Sequence, residues 1–224
     1  MGNAYEERLG TDRMLPLIFK MSLPAVAAQL VNLLYNIVDR IYIGHIPGIG
    51  TDALAGIGVT SAVIVLISSF SAIVGAGGSP LAAIALGRGN RERAGQILGN
   101  GFILLLIFTI LTSATTYLFM EPILLFTGAS ENTIGYATDY LSIYLLGTLF
   151  VELSVGLNTF INTQGRPTIA MYSVLIGAIL NIGLDPLFIF TFGMGVKGAA
   201  LATILSQACS AIWVISFLTS KKPH

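Results

Sequence analysis

Charge is scarce in this 224-residue chain: Asp, Glu, Lys and Arg together make up 10% of it, against about 25% in a soluble domain. A soluble protein of this length still needs a wetted surface, so the deficit excludes one. Eleven bases cancel eleven acids, which excludes the basic footprint of a nucleic-acid partner. A single cysteine, Cys209, excludes an internal disulfide; lying in an apolar run, it reads as a small core residue. The two histidines, His45 and His224, form no ligand cluster, and no Ser-His-Asp, HExxH or CxxC arrangement is present. No catalytic machinery is visible, and the chain reads as neither an enzyme nor a cofactor carrier. The polar N-terminal stretch with Glu6, Glu7, Arg8, Asp12 and Arg13 lacks a short apolar segment with a small-residue cleavage site. The first span is therefore expected to target and anchor the chain without being removed.

What is abundant is hydrocarbon. Hydrophobic residues reach 54% and the mean hydropathy is +0.83. A bilayer core of about 30 Å needs about 20 apolar residues per helix. Six segments qualify, at 14–43, 53–86, 94–119, 136–162, 168–190 and 198–218. The expected fold is all-α: a polytopic membrane protein in which residues 1–224 form a single six-transmembrane-helix bundle embedded in lipid. The second segment is too long for one straight crossing, at about 50 Å. Its Gly75, Gly77, Gly78 and Pro80 are expected to bend it or to let it project beyond the bilayer.

With six spans and the N-terminus inside, the inner ends hold Arg8, Arg13, Lys20, Arg88, Arg91, Arg93, Arg166, Lys221 and Lys222, and the outer ends only Arg40 and Lys197. The positive-inside rule places both termini in the cytoplasm. The 121–139 loop, with three acids (Glu121, Glu131, Asp139) and no base, suits the outer side.

Against this background the polar residues inside the spans stand out. Asn32, Tyr35, Asn36 and Asp39 follow i, i+3, i+4, i+7 and share one face of the first helix, with Gln29 a turn earlier. Asn181 and Asp185 are i, i+4 in the fifth span, and Thr203 and Gln207 are i, i+4 in the sixth. At 1.5 Å per residue, Asp185 lies about 28 Å from the inner landmark Arg166 and Thr203 about 9 Å from the outer landmark Lys197. Asp39 is at a similar height above Pro16. All three fall in the outer half of the bilayer, which points to one buried polar chamber. A carboxylate at membrane depth costs about 2.5–3.5 kcal/mol on insertion scales and marks ion or proton handling, or a charged ligand. The competing reading is structural. Each amide or hydroxyl would then bond a neighbouring helix, at about 0.6 kcal/mol, and Asp39 would sit at the interface paired with Arg40.

Pro24 interrupts the first span and reads as a static kink or as a hinge. Pro186 follows Asp185 and frees the carbonyl of Ile182. Glu152, near the midplane of the fourth span, is a third buried acid, open as a proton step, a cation ligand or a neutral acid. The run Gly75-Ala76-Gly77-Gly78-Ser79-Pro80 has no Lys-Ser/Thr ending and fails as a phosphate loop.

Three stretches carry a family resemblance: Val38-Asp39-Arg40-Ile41-Tyr42-Ile43-Gly44-His45, then Asn181-Ile182-Gly183-Leu184-Asp185-Pro186-Leu187-Phe188-Ile189-Phe190, then Met194-Gly195-Val196-Lys197-Gly198-Ala199-Ala200-Leu201-Ala202-Thr203. Gly128-Ala129-Ser130 and Gln164-Gly165-Arg166-Pro167 also fit. Together they resemble the multidrug and toxic compound extrusion (MATE) transporters, especially the branch similar to the staphylococcal efflux pump. The resemblance implies a bacterial cytoplasmic-membrane antiporter. It would exchange H+ or Na+ for organic cations and other amphipathic drugs, without a cofactor. Mapped onto this chain, it implies a coupling site of Tyr35, Asp39, Asn181, Asp185 and Thr203, with Na+ held at Asp39 and Asp185 if sodium is the ion, and Pro24 as the hinge. Gln29, Asn32, Asn36, Glu152 and Gln207 are the candidates for a substrate cavity. Family members have two six-helix lobes that rock for alternating access, so the chain corresponds to one lobe. A second half is expected, as a copy of itself, a separate chain or a missing C-terminal part. Two other readings stay open: a lipid-linked precursor flippase, disfavoured by spans almost free of Lys and Arg, and a non-transporting membrane subunit or remnant.

Overall fold

The computed structural model describes residues 14–220. Arg8, Arg13, Lys221 and Lys222 of the expected inner charge set, and the polar start of the chain, lie outside the described residues. The described chain is helical throughout. Helix α1 spans Met14–Gly44, α2 Gly50–Gly87, α3 Arg91–Leu118, the short α4 Met120–Phe126, α5 Ile134–Thr163, α6 Pro167–Pro186 and α7 Val196–Thr219. A π-helical turn, Leu187–Thr191, prolongs α6. Among the described residues five helices have the length and apolarity to cross a membrane: α2, α3, α5, α6 with its π turn, and α7. The sequence anticipated six. Helix α1, with 31 residues, has the length but carries the Gln29–Asp39 polar stripe and begins among side chains that are not described.

The breaks between helices follow local chemistry. Gly87 closes α2, Gly89 takes a φ of +73°, and the Asn90 side chain accepts from the Arg93 N–H at 2.9 Å to cap α3. Gly165, also at φ +73°, turns the chain before Pro167 opens α6 at the first helical position. There a Cβ would cost about 1–2 kcal/mol. The 38-residue α2 is uninterrupted across Gly75–Pro80 and about 57 Å long.

Small residues set how closely the helices approach. A Cβ on Gly147 of α5 would come within 2.3 Å of Ile204 on α7. One on Gly78 of α2 would come within 2.8 Å of the Phe160 ring on α5, and one on Gly177 of α6 within 2.6 Å of Ser210 on α7. Lipid offers apolar side chains no drive to leave it, so close backbone contact and dispersion hold such helices together. Helix α5 is the central pillar: in its best-crossing stretch 67% of residues are buried, against 17% in α3. Outward-facing residues are apolar, with Leu66 66%, Leu146 77% and Ile179 67% exposed. So broad an apolar exterior requires a nonaqueous surround, and the chain is a multi-pass membrane protein. Cys209 is exposed on α7 and is not the core residue its apolar neighbourhood implied, because helix azimuth, not local hydropathy, decides which side chains turn inward.

The two ends of the bundle differ. One gathers Arg91, Arg166 and Ser220 around a single pocket. The other gathers Ile46, Tyr136, Asp139 and Lys197, with Lys197 Nζ and Asp139 Oδ1 paired at 3.2 Å.

Substituting Gly147 with Val should separate α5 from α7 and destabilise the bundle by about 1–3 kcal/mol. Thermal unfolding in detergent should show a lower Tm. An unchanged Tm would mean that the close approach at Ile204 is not needed for stability.

Candidate functional site

Four helices bring their polar groups together in one region. The last turn of α6 carries Asp185, which is fully buried, one turn after Asn181, exposed by only 2%. The Asn181 Nδ2 donates both to Asp185 Oδ1, at 3.3 Å, and to Thr203 Oγ1 of α7, at 3.4 Å. Helix α1 supplies Asp39, half-buried, whose carboxyl adjoins that of Asp185. Tyr35, one turn before Asp39, is half-buried on the same side. Arg40 is exposed, and no ion pair joins it to Asp39 among the described residues. Adjacent helix positions point about 100° apart, so the base next in sequence does not face the acid.

Three oxygens in this cluster are buried and accept from no donor: Asp39 Oδ1, Asp185 Oδ2 and Asn181 Oδ1. A buried acceptor left unmatched costs about 1–3 kcal/mol, more if charged. Two adjoining carboxylates repel strongly in a weakly screening medium. A proton shared between the acids, or a cation held among the oxygens, would relieve that repulsion. Just past Asp185 the helix changes to its π turn, where the Phe192 N–H reaches the Leu187 carbonyl at 2.9 Å. Turns of this kind often mark functional positions.

Helix α5 adds two residues that sequence reasoning missed. Tyr140 and Tyr144 are buried and stacked, with ring centroids 6.0 Å apart and planes at 17°, and the Tyr140 hydroxyl lies beside Thr203. Their i, i+4 spacing was visible, but without a helix azimuth it could not be tied to the acids.

Toward the Arg166 end, the same helices enclose a pocket of about 230 Å³ lined by Gln29, Asn32, Tyr35, Asn158, Asn162 and Gln207 among others. A second, of about 120 Å³, shares Gln29, Asn32, Asn158 and Asn162. Among the described residues no charged side chain lines either. Asn158 and Asn162 were not singled out from sequence, although they repeat the i, i+4 amide pattern. Asn158 Nδ2 donates to the Ala170 carbonyl at 3.2 Å, and its Oδ1 is buried without a partner.

Two cavity candidates lie elsewhere. Asn36 is exposed and donates to the Asn32 carbonyl of its own helix at 2.7 Å. Glu152 of α5 is buried against α2, away from both pockets. Its Oε1 accepts from Ser68 Oγ at 3.0 Å and its Oε2 from Ser71 Oγ. Pro24 lies inside α1, helical on both sides.

The Glu152 clasp generates a test. Glu152→Ala leaves the Ser71 hydroxyl, itself 1% exposed, with only the backbone carbonyl of residue 152 at 3.3 Å, and should lower stability by about 1–3 kcal/mol. Glu152→Gln keeps an acceptor oxygen for a serine and should lose less. Detergent melting curves of the two variants would separate them, and equal Tm values would mean the clasp carries no stability.

Comparison with known proteins agrees with this geometry. The MatE family profile matches residues 24–187. The multidrug export protein MepA of Staphylococcus haemolyticus is 28% identical over 89% of the chain and 44% of its own length. A protein named FAD transporter, from Shewanella oneidensis, is 34% identical over 84% of the chain and 42% of its own length. A MATE crystal structure in the bent conformation superposes with a TM-score of 0.84 at 29% identity, covering 93% of this chain and 46% of that one. The chain thus spans less than half the length of these relatives, which are transporters. With the profile match covering most of its helices, the chain belongs to the MatE family.

Proposed function

We propose that this chain is one six-helix half of a secondary multidrug efflux antiporter of a bacterial cytoplasmic membrane, exchanging H+ or Na+ for organic cations and other amphipathic compounds. The observation that carries the reading is the contact between Asp39 and Asp185, with an unmatched oxygen on each. Proton or cation binding there would relieve the repulsion, and its release would restore it. An ion could thereby bias α1 against α6. Asn181 and Thr203 complete an all-oxygen set suited to a hard cation or a proton. Sodium, if it is the coupling ion, would be a transported substrate and not a resident cofactor.

Support for the substrate class comes from the adjoining pocket. Its Gln and Asn side chains offer donors and acceptors without fixed charge, which suits neutral and cationic amphipaths. A dinucleotide, the cargo that one relative's name indicates, would need cationic partners for its phosphates, and neither pocket has one among the described residues. Alternating access requires two lobes moving against each other, so a second six-helix half would be needed, as a copy of this chain, a separate chain or a continuation. The apolar outer face of α1, including Leu23, Leu30 and Leu34, is available to lipid or to that half. Orientation with both termini cytoplasmic follows from the basic end of the bundle.

With the complementary half present, Asp39→Asn and Asp185→Asn should each abolish ion-driven ethidium efflux in everted vesicles while leaving protein level unchanged. Efflux retained in both variants would remove the acid pair from the coupling mechanism.

A further inference from the structure

The basic end of the bundle holds a pocket that the transport reading does not use. It has a volume of about 290 Å³ and lies where α2 and α5 end, α3 and α6 begin and α7 finishes. Arg91, the first residue of α3, and Arg166, just before α6, line it from two different helix starts. No acidic side chain among the described residues lines it. Neither arginine has a carboxylate partner among the described residues, where the one recorded ion pair is at the opposite end. Glu92, the nearest acid in sequence, accepts from Gln96 of its own helix at 3.4 Å. The Arg166 guanidinium carbon sits 5.8 Å from the centroid of the Phe217 ring, which orients its planar fork by cation–π attraction. Gln164 and Ser220 add neutral polar groups at the rim, and the deeper wall is Ala82, Leu98, Phe160 and Leu218.

Each feature has a chemical consequence. Two guanidinium groups on separate helices, without a carboxylate partner among the described residues, match the bidentate geometry of a phosphate. Two helix N-termini bordering the same cavity add partial positive charge. An apolar wall below the cations gives nothing to a free inorganic anion but accepts the first methylenes of an acyl chain. Helix ends place the cations at the depth of lipid headgroups, where basic pockets between membrane helices take anionic lipids.

We propose that this pocket is a binding site for an anionic phospholipid, whose phosphodiester is held by Arg91 and Arg166 and whose proximal chain lies against Phe160 and Leu218. The lipid bridges the starts of α3 and α6 and the end of α7, tying together segments that no ion pair joins among the described residues.

The full chain, purified in mild detergent, should retain phosphatidylglycerol over phosphatidylcholine in native mass spectrometry. Arg91→Gln and Arg166→Gln should each reduce that preference about five-fold, the increment for one base at a membrane surface. The double variant should remove it, while Arg88→Gln, which alters a base outside the pocket, should leave it intact. A photoreactive phosphatidylglycerol bound to the unmodified chain should label the start of α3 or the end of α7, a readout that does not depend on variant folding. Equal retention of the two lipids, an unaltered preference in the double variant, or label confined to segments that do not line the pocket would each overturn the proposal. Displacement of phosphatidylglycerol by millimolar inorganic phosphate would show a free-anion site and overturn it as well.

Discussion

Asp39 on α1 and Asp185 on α6 place two carboxyl groups against each other inside a bundle whose buried residues are mostly apolar or small. Two like charges in a medium that screens poorly, with an oxygen unmatched on each side, would repel strongly, and a proton or a cation between them would relieve that repulsion. The elements around it serve that contact. The π turn after Pro186 redirects the chain beyond Asp185, Asn181 fastens Asp185 to Thr203 on α7, and the Tyr140–Tyr144 stack closes the α5 side.

The rest of the bundle supplies a rigid frame. Glycines at 147 and 177 let α7 lie against α5 and α6 at distances no larger residue would permit, and the Glu152 clasp to Ser68 and Ser71 fixes α2 to α5. Buried polar groups in this frame are of two kinds. Glu152 has protein donors on both carboxylate oxygens, which fits a structural tie. Asp39 and Asp185 each keep one oxygen without a donor, which fits exchange with an ion. Hydrogen-bond satisfaction, not residue type, separates these acids.

The long apolar runs made the helices legible, because at low charge a 20-residue stretch has few alternatives to crossing a bilayer. The structured bounds of α5, Ile134–Thr163, and α7, Val196–Thr219, lie within two residues of the segments read from hydropathy. The matched heights of Asp39, Asp185 and Thr203 were also legible, since rise per residue is fixed by helix geometry. Glu152 shows where this stopped. Its depth was readable, but whether it faced the amide-lined pocket or α2 depended on rotation about the helix axis, to which a linear count is blind. Cys209 illustrates the same gap from the outside.

The sequence by itself determined that the chain is a helical membrane protein with acids at one depth, because hydropathy, charge spacing and helix rise are local properties. Only the tertiary structure decided which of those acids touch, which amides enclose a cavity and which bases share a pocket. Those outcomes depend on how helices distant in sequence rotate and pack, and that is set by glycine contacts and cross-helix hydrogen bonds between residues tens of positions apart.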